Sequence, residues 1–173
     1  EPLVDVYAGA VAAEGIPVTH RFLSVVGEVR QPSVVRVPLG TSLQDAALHC
    51  GGAELEDVVY YTGGAMMGEI AAPEDPVTKI TTGIFLLPPE HDLVRTRSLP
   101  LENIKRQAES ACTSCRMCTD MCPRYLLGHS IEPHRLMRMV GMNPNRLEAE
   151  YQAAFLCSAC GACEYACPMR LSP

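Results

Sequence analysis

The chain has 173 residues and a formal net charge of −6, from 14 Lys and Arg against 20 Asp and Glu. That length suits one domain or two small ones. The acidic balance, with no basic run anywhere, argues against a nucleic-acid partner. No apolar run approaches the ~20 residues that a membrane-spanning helix needs, so no membrane insertion is expected. An acidic surface is read first as ordinary solubility, and second as a complement to a basic rim on a partner.

Residues 1–17 open at Glu1-Pro2 rather than Met and carry no signal-peptide pattern. Leu3 to Pro17 mixes small and apolar residues without a start signal. The stretch is expected to be a remnant of, or linker from, an upstream domain, and the chain a processed product or a fragment.

Residues 18–98 read as one module. Val18 to Val29 is β-like and ends near Gly27, and Ser33 to Val37 alternates up to Pro38-Leu39-Gly40. Thr41-Ser42-Leu43-Gln44-Asp45 has the pattern of a capped helix start. That helix carries Ala46, Ala47 and Leu48 and stops at Gly51-Gly52. Asp57 to Thr62 and Ile80 to Leu87 are further β runs, the second closed by Pro88-Pro89. Strand, strand, helix, strand, strand in this order predicts a β-grasp (ubiquitin-like) module. The segment Gly63-Gly64-Ala65-Met66-Met67-Gly68 departs from G-x-G-x-x-G and lacks its strand–helix setting, so a tight loop is expected, with packing against a cofactor held elsewhere as the alternative. Lys79 is read as a solvated strand lysine rather than a group aimed at an anionic cofactor. Cys50 is read as a small buried side chain.

Residues 99–173 hold the chemistry. A helix over 99–111 leads to Cys112-x-x-Cys115-x-x-Cys118-x-x-x-Cys122-Pro123, and the same spacing returns as Cys157-x-x-Cys160-x-x-Cys163-x-x-x-Cys167-Pro168. This is the bacterial ferredoxin spacing given twice, and it implies two [4Fe–4S] clusters and electron transfer. Three cysteines two residues apart wrap one tight turn, so their thiolates converge on one cube. The fourth has left that turn, and in two-cluster ferredoxins it ligates the other cube. Cluster one is therefore assigned to Cys112, Cys115, Cys118 and Cys167, and cluster two to Cys157, Cys160, Cys163 and Cys122. Pro123 and Pro168 fix φ and donate no N–H, which turns the chain away from each cube.

Two structural zinc sites are the rival reading, but zinc sites usually pair C-x-x-C knuckles, often with His. A disulfide framework is the other, and nothing marks a secreted chain. Eight thiolates awaiting iron place the chain in a reducing compartment, the cytoplasm by default. No catalytic constellation of the Ser–His–Asp or paired-carboxylate type stands out.

Between the motifs, Glu132 to Val140 and Arg146 to Leu156 have helical spacing, the second with Leu147, Tyr151, Ala154 and Phe155 on one side. This long insert predicts an α-helical two-cluster ferredoxin domain, and hence an α+β chain overall. His129 and His134 are read as structural, with metal ligation or proton carriage as the alternative, and Arg124, Arg135 and Arg138 as either a docking face or the solvated side of a helix. Met117, Met121 and Met169 are expected to shield the cubes from water.

The order of parts resembles a known family. Val25-Val26-Gly27-Glu28-Val29, Pro32 and Val37-Pro38-Leu39-Gly40-Thr41 resemble the SLBB (soluble-ligand-binding β-grasp) module of Rnf-type electron carriers. Gly63-Gly64-x-x-Met67-Gly68 and Pro76-Val77-Thr78-Lys79-x-Thr81-x-Gly83-Ile84 are similar to the segments that follow in Rnf complex C subunits, and the double cysteine motif completes the likeness. Cys122-Pro123-Arg124-Tyr125-Leu126-Leu127-Gly128-His129, with Glu132-Pro133-His134 and Met137-Arg138, more closely resembles the cobalamin reductases of propanediol-utilisation microcompartments.

The resemblance implies an upstream domain, absent here, that binds FMN and NADH. It also implies an enzyme only as the full-length protein, with this piece an electron carrier. Cobalamin is the implied acceptor, a cobalamin adenosyltransferase or a microcompartment shell protein the implied partner, and the cytoplasm or a microcompartment interior the implied location. The alternatives are an Rnf C-type subunit in membrane-linked NADH/ferredoxin electron transfer, and a ligand- or shell-binding module whose clusters are structural.

Overall fold

In a computed structural model the described residues are 2–139 and 148–173. The chain forms two compact units, Glu1–Ser98 and Leu99–Pro173.

The first unit begins with helix α1 (Pro2–Ala13), where the sequence suggests only a linker. Its start and stop were present but inconspicuous. Pro2 stands at the first helical position, and Gly15, at φ 75°, follows the end and donates its N–H to the Ala12 carbonyl. Val6 and Tyr7 on α1 are exposed, so helix propensity rather than a buried stripe accounts for it.

Five strands then form one mixed sheet: β1 (His20–Gly27), β2 (Ser33–Pro38), β3 (Val59–Thr62), β4 (Glu69–Ala71) and β5 (Gly83–Leu87), in the order β2-β1-β5-β3-β4. β1 and β5 lie side by side and parallel, with Val25 opposite Ile84; the other pairings are antiparallel. Parallel neighbours need a crossover. Helix α2 (Leu43–His49), within the connection, supplies it, and the result is the expected β-grasp. Ser42 caps α2 by accepting the Asp45 N–H at 3.0 Å, and Gly51 and Gly52 end it at φ 89° and 77°.

Leu43, Ala46 and Ala47 of α2 pack on Leu23, Val25, Val35, Val37, Ile84 and Leu86, with Cys50 buried beside them. On the other face Tyr61, Leu87, Val94 and Phe85 form a second cluster, in which the Tyr61 and Phe85 rings meet edge to face at 6.2 Å. β5 is central and covered on both faces, which is why it reads as an unbroken apolar run.

Two further elements of this unit escaped the sequence reading. β4 is three residues long and follows the glycine loop. Helix α3 (Asp92–Arg97), capped by the His91 ring, directly follows the Pro-Pro stop. Lys79 sits in a turn, not on a strand, because β5 starts only at Gly83.

The Gly63–Gly68 loop is stapled from three sides. The Tyr61 hydroxyl donates to the Gly68 carbonyl at 2.8 Å, the Gly68 N–H to the Gly64 carbonyl at 2.7 Å, and the Arg97 guanidinium to the Met66 carbonyl at 2.6 Å. A β-carbon on Gly68 would stand 2.3 Å from the Thr62 carbonyl oxygen, so only glycine fits. With Asp75–Thr82 the loop borders an open cavity of about 650 Å³.

The second unit is a set of short helices: α4 (Leu101–Ala111), α5 (Met117–Asp120), α6 (Pro123–Leu126), α7 (Pro133–Met139), α8 (Glu148–Ala154) and α9 (Ala162–Ala166). Val140, Arg146 and Leu147 of the expected helices lie outside the described residues. α8 stops before Phe155, which is 90% exposed, so the apolar side expected for that helix is not buried through Phe155. Ala108 of α4, Met137 of α7 and Leu171 form a small core against Cys112 and Cys167.

Gly27 and Gly40 give a paired test of the sheet. Both have φ near 90°, but a β-carbon at Gly27 would meet the Leu86 carbonyl oxygen at 2.2 Å, whereas Gly40 has open space. Gly27→Ala should therefore lower the urea unfolding free energy by about 1–3 kcal/mol more than Gly40→Ala. Equal losses would mean that β1 and β5 do not approach this closely.

Candidate iron–sulfur centre

The two cysteine motifs fold alike, residue for residue. Two positions after the first cysteine of each motif the backbone turns left-handed, at Ser114 (φ 57°) and Ala159 (φ 50°). It does so again two residues later, at Arg116 (φ 67°, ψ −1°) and Gly161 (φ 73°, ψ −2°), each the N-cap of the helix that carries the third cysteine. The fourth cysteines, Cys122 and Cys167, both have φ −73° and ψ 116°. Three of these four left-handed positions are not glycine, and each costs roughly 1–2 kcal/mol. Such strain persists where surroundings impose it, and alternating left- and right-handed residues aim successive backbone N–H groups into one concavity suited to an anion.

Backbone donors do reach the sulfurs. The Ala159 N–H lies 3.3 Å from Cys157 Sγ, and the Leu171 N–H 3.4 Å from Cys167 Sγ. The Thr119 and Glu164 N–H groups donate to the Arg116 and Gly161 carbonyls at 2.8 and 3.1 Å.

Cys112, Cys115, Cys118 and Cys167 line one small opening, shared with His134 and Met169. Three come from the first motif and the fourth from the second, 45 residues further on than Cys122. In the other set, Cys163 lies within electrostatic range of both Cys157 and Cys118, and its helix α9 packs on α5. Cys122 is buried at the start of α6, with Pro123 at the first helical position; Cys157 is exposed.

Among the described residues, no three His, Cys, Asp or Glu side chains come close enough to hold a single metal ion. Four thiolates around one opening are the number that the four irons of one [4Fe–4S] cube take.

Burial pushes the Cys163 thiol up to about 11, with Cys157 and Cys118 adding to the rise and the backbone donors opposing it. Burial likewise raises Cys118. His134, read from sequence as structural, borders the opening, and its ring Nδ1 lies 2.8 Å from the hydroxyl of the fully buried Thr119. Thr119 went unnoticed in the sequence, although its place directly after the third cysteine is a usable signal. His129 is exposed, and Arg135 pairs with Glu132 at 2.7 Å. Of the three methionines expected to shield the cubes, Met169 borders the opening, and all three are about half exposed. Met137, from α7, is the buried one there.

Fold and site together define the class, an SLBB β-grasp module followed by an iron–sulfur electron-transfer domain. The 4Fe-4S dicluster domain family matches residues 111–172, which include all eight motif cysteines, and the SLBB domain family matches residues 22–69. The chain is 41% identical to cobalamin reductase PduS of Salmonella typhimurium, over 91% of this chain and 35% of that protein. PduS of Citrobacter freundii is 40% identical over the same shares. The C subunit of an ion-translocating oxidoreductase complex from Methanosarcina acetivorans is 32% identical over 75% of this chain and 25% of its own. The chain thus resembles the PduS-type cobalamin reductases along nearly its whole length while spanning 35% of theirs, and it resembles the C subunits more distantly.

A raised thiol is less ionised at a given pH and so less nucleophilic. In the metal-free chain at pH 8, Cys163 and Cys118 should be alkylated by iodoacetamide more slowly than the exposed Cys115 and Cys157. Peptide mass spectrometry after a timed pulse reads this directly; uniform labelling would contradict the burial described.

Proposed function

We propose that this chain is the electron-exit segment of a flavin-dependent cobalamin reductase. It takes electrons from a reduced flavin on another part of the full-length protein and delivers them to cobalamin. The observation that carries the proposal is the opening lined by Cys112, Cys115, Cys118 and Cys167, together with the 41% identity to a cobalamin reductase. When bound, two [4Fe–4S] clusters supply one-electron storage at two neighbouring points.

The chain's own residues do the rest. Cys112, Cys115, Cys118 and Cys167 hold one cluster, and Cys157, Cys160, Cys163 and Cys122 the other. The packing of α5 on α9 keeps Cys118 and Cys163 within electrostatic range, so the sites are neighbours. Met137 and Leu171 exclude water beneath the first. The exchanged fourth cysteines tie the two loops together, so that neither forms without the other.

Residues 1–17 lead in from the upstream part, 18–98 form the SLBB domain and 99–173 the ferredoxin domain. FMN and NADH belong to the upstream part, in keeping with a relative of which this chain spans 35%. As the full-length protein it is an NADH-dependent oxidoreductase working in the cytoplasm or a microcompartment, with a cobalamin adenosyltransferase or a shell protein as neighbour.

An Rnf-type role is the second reading, favoured by the likeness to the C subunits of ion-translocating complexes. No described helix is long and apolar enough to cross a membrane.

The acceptor is tested by reducing the anaerobically purified chain until its visible band bleaches and mixing it with cobalamin in a stopped-flow instrument. Reoxidation should saturate with cobalamin concentration. A slow, non-saturating rate, no faster than with a small-molecule reductant, would turn the assignment toward the Rnf-type role. Cys167→Ser should disturb the cluster of the first motif rather than that of the second. If it removes only the signal lost in Cys157→Ser, the exchange of fourth ligands is wrong.

A further inference from the structure

Beside equivalent cysteines the two motifs carry opposite kinds of surface. Two residues before the first cysteine stands Ser110 in the first motif and Phe155 in the second. Two residues after the third cysteine stands Asp120 in the first and Tyr165 in the second. All four are exposed. Four residues after the fourth cysteine both motifs have leucine, with opposite burial. Leu171, after Cys167, is 4% exposed and packs with Ala108 and Met137 against Cys112 and Cys167. Leu126, after Cys122, is 68% exposed, and Leu127 beside it more so.

Sorted by the ligand assignment proposed above, these positions divide cleanly. In the quartet of Cys112, Cys115, Cys118 and Cys167 the exposed positions are polar and the apolar one is buried, as at any solvated surface. In the quartet of Cys157, Cys160, Cys163 and Cys122 all three positions are apolar and exposed. Among the described residues, Phe155, Tyr165, Leu127 and Leu126 are the most exposed large apolar side chains of the second unit. The Leu126 N–H donates to the Cys122 carbonyl at 3.0 Å, so this leucine stands one turn along from that cysteine.

Single exposed apolar residues are ordinary, but a group gathered around one site marks an interface. Aromatic and large aliphatic side chains suit a lasting interface rather than a brief encounter. The PduS relatives indicate where the cover comes from. This chain spans 35% of each, so most of such a protein lies outside these residues. A lasting apolar interface is what another part of the same polypeptide forms.

We propose that Leu126, Leu127, Phe155 and Tyr165 seat another part of the full-length protein, one that lies outside these 173 residues and presents an apolar surface. The site of Cys122, Cys157, Cys160 and Cys163 is thereby enclosed at an internal interface, while that of Cys112, Cys115, Cys118 and Cys167 keeps a polar rim. The proposal rests on the ligand assignment given under the proposed function.

The cover is read by hydrogen–deuterium exchange with peptide mass spectrometry on the full-length protein and on the 173-residue chain, both kept anaerobic, with iron and sulfide measured. Peptides covering residues 123–130 and 153–166 should exchange severalfold more slowly in the full-length protein, and those covering residues 105–120 alike in both. In the full-length protein Phe155→Asp should restore fast exchange over residues 123–130 as well, with both clusters kept, because one cover seats on both segments. Leu101→Asp, at an exposed leucine eleven residues ahead of Cys112, should not. Equal exchange in the two proteins overturns the proposal, whether the face stays open or is already covered in the shorter chain. So does a gene that encodes nothing beyond these residues. If the shorter chain alone loses its clusters, Phe155→Asp decides, because unchanged protection over residues 123–130 refutes the shared seat. Absence of iron and sulfide from both proteins would refute the ligand assignment, and the proposal with it.

Discussion

The second unit is organised around eight sulfurs that must carry negative charge to hold metal, two of them, Cys118 and Cys122, buried. Without metal, burial pushes the Cys163 thiol up to about 11 and raises that of Cys118. The backbone answers with a repeated device. Left-handed turns recur at Ser114 and Arg116, and at Ala159 and Gly161, and the Ala159 N–H donates to Cys157 Sγ. The helices are short because the loops, not the helices, are the functional element. Each α5 or α9 turn serves mainly to place a third cysteine and the residue after it.

The repetition is not a symmetry of chemistry. The same backbone at Arg116 and Gly161, and at Cys122 and Cys167, is surrounded by different side chains. A buried threonine follows the third cysteine of the first loop, and a glutamate follows that of the second.

Much of this was legible in the sequence, for physical reasons that can be named. Cysteine spacing is a direct statement of loop geometry, so the opening at Cys112, Cys115, Cys118 and Cys167 could be foreseen from the ferredoxin pattern alone. The β-grasp was readable because Ser42, Gly51 and Gly52 bracket α2 and the β5 run is unbroken. Other features gave weaker signals. β4 is too short for a period to show, and α1 has end signals but no apolar stripe. His134 looked ordinary because its role depends on Thr119, 15 residues away in sequence and 2.8 Å away in space. Phe155 looked like a core residue of α8 and is instead a bare aromatic near Cys157, because the helix ends before it.

The central claim is that each cysteine quartet holds four irons rather than one metal ion. The most direct measurement is metal and acid-labile sulfide analysis of the anaerobically purified chain. Iron and sulfide in equal amounts, four of each per quartet, is the predicted result. One zinc per quartet with no sulfide would contradict it, and would reduce the two matched loops to structural metal knuckles.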